Sequence, residues 1–287
     1  MRKSNVSTWT AILLCTLLGW MAPIPISNGA TKKAKKATGK VTLRLHPKMS
    51  LALRASWSNI TAASLRFRTL PIYRHYHYKV AVPHKQYKAS DFAPFLPHCD
   101  VQVGDIWKIP VAKVAHLFKQ FHPNVRVKLH NGGPNGAYGM LRALSARYAE
   151  ITFRIHIEFE LKHRIYFTPA QMTGRLLLDR ATQQLVYAKL YLPTHRIRNV
   201  DVNAEHQIDA VFVKTMQLIG GNPKLPSSIT WEQQQPWKPA FLALAQKFYG
   251  FMKIRWRSVA DAIKESRRTQ KPIHLFIVYG SLDDQSC

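Results

Sequence analysis

The serine–cysteine pair Ser286-Cys287 lies in a sequence context that favours thiol chemistry. Residues 273–279 form an apolar run typical of a buried central strand, and the mostly polar residues 280–287 follow directly. In α/β proteins, active sites lie where such strands end. A cysteine placed there before a helix has a lowered pKa, because the helix dipole stabilises the thiolate. Cys287 is therefore the candidate catalytic nucleophile, with Ser286 beside it.

The other candidate metal or thiol ligands form weaker patterns. The chain has three cysteines, and Cys15 lies in an N-terminal apolar segment. Cys99 and Cys287 remain, which are too few for a disulfide scaffold. His75 and His77, not far from Cys99, have a spacing that zinc or copper can use. With 13 histidines in the chain, such pairs are expected by chance, so we predict no metal site.

No cofactor site is predicted either. Four glycines in residues 131–139 precede a segment predicted as a short helix, residues 140–148, and such a loop can cradle a phosphate. No GxGxxG or GK[ST] pattern is present, so we interpret them as turn glycines. No Ser-His-Asp or paired-carboxylate constellation is recognisable from spacing.

The positioning elements begin with a long alternating strand, residues 151–161. Its apolar residues point one way and its polar residues the other, which predicts a sheet with one buried face. Arg154, His156 and Glu158 share the polar side, where we expect a solvated or interfacial network; a site role for His156 is the alternative. Residues 174–178 and 185–192, joined by a polar turn, predict a hairpin that extends this sheet.

Further segments complete an α+β fold. Strands are predicted over residues 65–70, 73–82, 200–202 and 210–218, and a strand end followed by a helix over residues 105–121. Together they indicate a predominantly antiparallel central domain with flanking helices, residues 49–220, followed by a linker, residues 221–235.

The C-terminal region, residues 236–287, has a different pattern. We predict a helix over residues 239–249, a strand over 251–256 and a helix that begins at Ser258, capped with Asp261, and ends at about residues 267–270. The buried strand over residues 273–279 follows. Strand, helix and buried strand open an α/β domain, which is incomplete at Cys287, so we expect a truncated chain.

The N-terminus carries the features of a secretory signal. Arg2 and Lys3 precede an apolar stretch, residues 9–21, and small residues lead to Ala30. We predict a cleaved signal peptide, residues 1–30, and hence a secreted or periplasmic protein; an uncleaved anchor is the alternative. Residues 31–40 are lysine-rich and have no apolar surface to bury, so they are predicted to be disordered, and the basic disordered tail is assigned to residues 31–48.

The formal net charge of +27 predicts anionic partners. For an exported protein these are an acidic membrane or glycan surface, and nucleic acid is the less expected partner. A general adaptation for solubility would also explain the charge. One function class is therefore a non-enzymatic basic envelope protein that binds anionic surfaces.

The sequence also resembles the selenoprotein N family. Residues 282–287, Leu-Asp-Asp-Gln-Ser-Cys, are similar to the stretch that leads into that family's Ser-Cys-selenocysteine-Gly motif. Three more blocks, residues 151–159, 167–174 and 193–201, resemble family segments in the same order. The resemblance covers about residues 149–287.

This resemblance implies a thioredoxin-like thiol/selenol oxidoreductase that acts on protein disulfides or peroxides, with thiol reductants or protein substrates as partners. It also implies a selenocysteine directly after Cys287, encoded by a UGA codon that gene prediction reads as a stop. Only Ser286 and Cys287 match the redox motif, so the chain as given is expected to be inactive. In animals the family lies in the endoplasmic reticulum membrane and is linked to calcium. No loop of closely spaced acidic residues with a glycine is present here, so calcium binding is not expected.

Overall fold

The computed structural model describes residues 39–57, 60–62, 80–121, 126–128, 136–156, 158–161, 165–167, 171–192, 200–204, 207–213 and 215–275. Within these residues the protein is mostly antiparallel sheet with some helices, which confirms the central part of the fold prediction. None of the described helices is long and apolar enough to cross a membrane.

Short strands dominate the described chain. In chain order they are β1 Ser50–Trp57, β2 Ile60–Ala62, β3 His84–Lys88, β4 Ile106–Lys108, β5 Arg126–Lys128, β6 Gly136–Leu144, β7 Tyr148–His156, β8 Glu158–Leu161, β9 Ile165–Phe167, β10 Gln171–Asp179, β11 Gln184–Tyr191, β12 Val200–Ala204, β13 Gln207–Val213, β14 Met216–Gly221 and β15 Gln233–Gln234. The α-helices are α1 Ala89–Phe92, α2 Val111–Val114, α3 Leu225–Ser228, α4 Trp237–Ala245 and α5 Val259–Thr269. Ala93–Phe95, Ala115–Gln120 and Gly250–Lys253 are 3₁₀ turns.

Nine strands form the main sheet in the order β15-β6-β7-β10-β11-β14-β1-β3, with β4 also paired to β6. The pairings between these strands are antiparallel. The predicted hairpin is β10–β11, and β10 lies beside β7. The prediction that this hairpin extends the sheet is therefore confirmed.

A second sheet has the order β2-β13-β12-β9-β8-β5. The strands predicted over residues 200–202 and 210–218 are both found. The second of them is divided, because β13 joins this sheet whereas β14 returns to the main one between β11 and β1.

The main core lies on one face of the main sheet. Alternate residues of the strands point into it, among them Ile151, Phe153 and Ile155 of β7. Residues 89–121 cover this face with buried side chains such as Phe95, whose ring centroid is 4.6 Å from that of Phe153. Phe118 is fully buried in the same cluster. This confirms the predicted strand and helical segment over residues 105–121, here β4, α2 and a 3₁₀ turn.

The short helix predicted over residues 140–148 is wrong. This segment contains good helix formers, but it forms most of β6 and the first residue of β7. Pairing with β7 buries β6 on both faces, and this tertiary contribution exceeds the local helix propensity. Gly139, predicted to lie in a turn, instead lies within β6, where a Cβ atom would come within 2.9 Å of the Trp107 ring.

The strand predicted over residues 151–161 is two strands in different sheets. β7 ends at His156 and pairs with β6 and β10, whereas β8 belongs to the second sheet. The prediction of one buried face is also wrong, because residues 149–156 are buried on both faces. Simple alternation identifies the strand but cannot show that a second layer covers its polar side.

Several other predictions concern segments that lie partly outside the described residues or at the domain boundaries. Residues 63–79, which contain most of the strands predicted over 65–70 and 73–82, lie outside the described residues, and residues 80–82 form no strand. The predicted linker, residues 221–235, contains α3 and β15. Part of the tail predicted to be disordered, residues 39–48, is ordered: Val41 pairs with Val101, and Leu43 is buried in the main core. The disorder prediction is wrong for these residues, because Val41 and Leu43 supply apolar surface that the core can bury. The other domain boundaries stay predictions.

Candidate functional site

The predicted catalytic Cys287 and its neighbour Ser286 lie outside the described residues, as do His75 and His77. Their roles therefore stay predictions. Cys99 is an exposed free thiol. Within the described part of the chain, no three histidine, cysteine or acidic residues are grouped so that they could hold a metal ion.

Helix α5 leads towards the predicted redox motif, and its N-terminus is capped as predicted. The Ser258 hydroxyl accepts a hydrogen bond from the Asp261 amide at 3.1 Å and donates one to the Asp261 carboxylate at 2.7 Å. The helix ends at Thr269, because Gln270 adopts a left-handed conformation with φ of 55°. The predicted boundaries of this helix are confirmed.

The elements predicted on either side of α5 differ from the structure. The strand predicted over residues 251–256 is wrong, since residues 250–253 form a 3₁₀ turn and residues 254–258 form no strand. The strand predicted over residues 273–279 is not formed in its described part, residues 273–275. A strand needs a paired neighbour, and no described strand pairs with this segment. Val259, Ile263 and Leu275 are exposed instead.

A buried charged cluster lies on the face of the main sheet opposite the main core. Glu150 is fully buried and accepts hydrogen bonds from Arg142 and Arg175, the latter at 2.6 Å. Arg142 also donates to the Gln235 carbonyl oxygen at 3.1 Å. The Glu150 carboxylate of β7 therefore forms ion pairs with two guanidinium groups, one from β6 and one from β10.

Aromatic rings cover this cluster. The Trp237 ring centroid of α4 lies 4.8 Å from the Arg142 guanidinium carbon and 4.6 Å from that of Arg175. Arg154 is only 1% exposed, and its guanidinium carbon lies 4.9 Å from the Phe241 ring centroid and 5.4 Å from that of Tyr249. Cation–π contacts become stronger when the cation is desolvated, so these rings stabilise the buried charges.

His156 is part of this covered face and is also 1% exposed. Its ring centroid lies 5.6 Å from that of Phe248 and 5.8 Å from that of Tyr249. Of the two alternatives predicted for this side of the strand, a solvated or an interfacial network, the interfacial one is confirmed for Arg154 and His156. The reason is that α4 and the residues after it pack on this face. The side chain of Glu158 lies outside what the structure describes.

Part of this buried cluster can be predicted from the sequence. It predicts an amphipathic helix over residues 239–249 and polar residues at alternate positions of β7, but it does not show that the two meet. The structure adds Trp237 and Phe241 as partners of the arginines. Because the rings of α4 lie on the buried arginines of the sheet, the cluster anchors α4 on the sheet and holds the start of the C-terminal region.

Comparisons with known proteins agree with the family resemblance. No protein family model and no solved structure matches this sequence. Selenoprotein N of Mus musculus is 27% identical over 268 residues, covering 72% of this chain and 48% of the mouse protein. Selenoprotein N of Homo sapiens is 26% identical over 268 residues, covering 72% of this chain and 45% of the human protein.

Selenoprotein N of Danio rerio is 26% identical over 269 residues, covering 72% of this chain and 48% of the fish protein. The chain spans about half the length of these relatives. It is therefore similar to selenoprotein N over most of its own length.

Proposed function

We propose that this selenoprotein N-like chain acts as an exported, thioredoxin-like thiol/selenol oxidoreductase that reduces protein disulfides or peroxides. The observation that carries the proposal is its similarity to three proteins named selenoprotein N over 72% of the chain. Ser286-Cys287 adds support, because the pair resembles the first two residues of that family's redox motif. Cys287 is the proposed redox residue, with a selenocysteine in the next position.

The proposed chemistry begins with the Cys287 thiolate. It attacks one sulfur of a substrate disulfide, forms a mixed disulfide and releases the other sulfur as a thiolate. The mixed disulfide persists until a second nucleophile displaces the bound substrate sulfur. A selenocysteine in the next position would supply a second nucleophile, which completes reduction of the substrate and leaves the motif oxidised. A thiol reductant then returns two electrons to the motif.

The described residues before the motif fit this proposal. Helix α5 is capped by Ser258 and carries none of its side chains in a buried position. Val259 and Ile263 are 61% and 40% exposed, and Leu275 is 65% exposed. Exposed apolar side chains of this kind favour a packing partner. A thioredoxin-like domain that includes the redox motif would cover them.

The first test is the codon that follows Cys287. We expect TGA, followed in frame by a glycine codon and by enough sequence to complete an α/β domain, roughly 80 residues or more. A TAA or TAG codon at this position would end the selenoprotein proposal.

The second test is turnover with a disulfide substrate and a thiol reductant. The chain ending at Cys287 should show little turnover, whereas a protein extended through that codon, with selenocysteine or cysteine there, should be active. Cys287→Ser in the extended protein should remove most of the activity. Cys99→Ser is the matched control and should retain it. Full activity of the Cys287→Ser protein would show that the redox assignment is wrong.

A further inference from the structure

The face of the main sheet that carries the buried cluster is only partly covered. Helix α4 packs on β6 and β7 at one end, and Trp237 extends its cover to Arg175 of β10. The strands beyond, β11, β14, β1 and β3, also direct side chains outward. We call this second part the basic sheet face. Its principal residues are Lys189, Gln217, Arg54, His84, Gln86 and Lys88, all of them exposed or half-buried.

Strand register aligns the cations of the basic sheet face. Lys189 pairs with Ile219, Ile219 pairs with Arg54, and Arg54 pairs with His84. Neighbouring strands lie about 4.8 Å apart, so this row crosses four strands over roughly 14 Å. Lys189 and Arg54 are then about 10 Å apart. Lys88 lies in a parallel row opposite Ser50.

No negative charge balances this row within its own strands. β1, β3, β11 and β14 contain no aspartate or glutamate anywhere in their sequences. Arg54, His84 and Lys88 are exposed, and Lys189 is half-buried with its ammonium 4.5 Å from the Tyr191 ring centroid. Two carboxylates of neighbouring elements lie near the face: Asp91 accepts a hydrogen bond from the Lys88 amide, and Glu150 is paired with two arginines. The four strands themselves carry only basic charges, which attract and orient an anionic partner.

We propose that the basic sheet face binds an acidic polysaccharide. Lys189, Arg54 and Lys88 would contact its carboxylate or sulfate groups. Amide and hydroxyl groups beside these basic residues, from Gln217, Gln86 and Ser50, are suited to the sugar hydroxyls. The aligned row fits an extended polymer that lies across the strands.

The chemistry of the face favours this polymer over the other two common polyanions. Single-stranded nucleic acid is held by bases that stack on exposed aromatic rings, but Tyr191 is half-buried and Tyr187 is only 5% exposed. Insertion into an anionic membrane uses protruding large apolar side chains, and on this face Ile219 is half-buried and Ala52 is small. The face therefore offers basic charges and hydrogen-bonding groups, which are the contacts that an acidic polysaccharide requires.

The test uses the full chain and immobilised heparin or polygalacturonate, with neutral dextran as the uncharged reference. The double substitution Arg54→Gln and Lys189→Gln should weaken the Kd for an acidic polysaccharide about tenfold at 0.15 M salt, a loss of about 1.4 kcal/mol. The matched control is Lys264→Gln with Arg267→Gln, which removes the same charge from exposed positions on α5. It should change the Kd less than twofold.

Thermal unfolding of both double variants establishes that they are folded before binding is compared. An equal loss in the two variants would overturn the proposal, because net charge alone would then explain the binding. Stronger binding to single-stranded oligothymidylate, or to vesicles containing phosphatidylglycerol, that depends on Arg54 and Lys189 would also overturn it. Redox turnover of the extended protein is measured separately, so failure of either proposal leaves the other intact.

Discussion

Glu150 has an unusual position for a carboxylate, because it is fully buried and is shared by two arginines. Arg142 is 4% exposed and Arg175 is 23% exposed in their side chains, so both charges are largely removed from water. A buried ion pair is not by itself a large source of stability, but breaking one leaves an uncompensated charge. The cluster thus specifies which strands and which helix can come together.

Replacement of Glu150 tests this view. Glu150→Gln keeps the shape of the side chain but removes its negative charge, and we expect the free energy of unfolding to fall by about 3–5 kcal/mol. Urea unfolding followed by circular dichroism measures this change. Glu232→Gln, at an exposed carboxylate, is the control and should change stability by less than about 0.5 kcal/mol. Equal effects would show that the buried charge has no special role.

Asp179, at the β10–β11 turn, makes a pH-dependent contribution to the free energy of unfolding. Burial raises the pKa of this carboxyl, but the hydrogen bond from Arg147 at 2.8 Å and the amides of Thr182 and Ala181 outweigh it. The pKa of Asp179 therefore lies below its usual value. Because the folded-state pKa is lowered, Asp179 contributes its full stabilisation above the unfolded-state pKa of about 4. This stabilisation is lost as the pH falls through the folded-state pKa.

The variant Asp179→Asn should accordingly be less stable than the natural protein by about 1 kcal/mol at pH 7, a small value because the Arg147 side chain is 62% exposed. The difference should shrink as the pH falls through the folded-state pKa of Asp179, because the carboxyl then becomes neutral like the amide that replaces it. Urea midpoints measured at several pH values would show this. A difference that stays constant with pH would contradict the lowered pKa.

At the scale of elements, α4 joins the main sheet to the C-terminal region. Its inner side contains the fully buried Ala240 and Leu244, which pack with Met140 of β6. Trp237 stacks on two arginines, although the residue is 37% exposed overall. Leu242 lies on the outer side and is 42% exposed. The helix is therefore held by one apolar and one cation–π surface.

Two alanine substitutions on this helix separate these contributions. Trp237→Ala removes both guanidinium contacts and should lower the free energy of unfolding by about 2 kcal/mol. Leu242→Ala, on the outer side of α4, should change it by less than about 0.5 kcal/mol. Amide hydrogen exchange over residues 237–249 should become faster only in the Trp237 variant. Equal exchange in both variants would mean that the rings do not hold the helix.

At the scale of the whole molecule, the predicted export pathway and the high positive charge bear on where the protein acts. The formal net charge is +27, and the strands of the basic sheet face contribute to it without any acidic residue. Anionic polymers are abundant outside the cytoplasm, so export would bring this face to the partner proposed for it. The redox proposal likewise favours a compartment in which disulfides form.

Export is tested by the N-terminus of the mature protein. We expect cleavage after Ala30, so that the protein recovered from outside the cytoplasm begins near Thr31. N-terminal sequencing and cell fractionation measure this. An intact Met1 in a cytosolic fraction would contradict export. Deletion of residues 31–38 should then leave the urea midpoint unchanged, since this lysine-rich stretch has almost no apolar surface to bury.

The sequence by itself determined the local features of this protein. Alternation identified β7 and the β10–β11 hairpin, because side chains of a strand point to opposite faces at every second residue. Ser258 and Asp261 predicted the start of α5, because a cap forms within four residues of the same chain. The short blocks that resemble the selenoprotein N family are likewise recognisable from the order of the residues alone.

Only the tertiary structure decided the features that depend on contacts between distant residues. Residues 140–148 form mainly a strand because β7 and β4 pair with β6, although their own propensity favours a helix. Arg154 and His156 are buried because α4 and the residues directly after it, more than 80 positions later in the chain, cover them. The row from Lys189 to His84 exists because register aligns four strands. Local sequence carries no information about these partners, since burial and register are set by packing across the whole sheet.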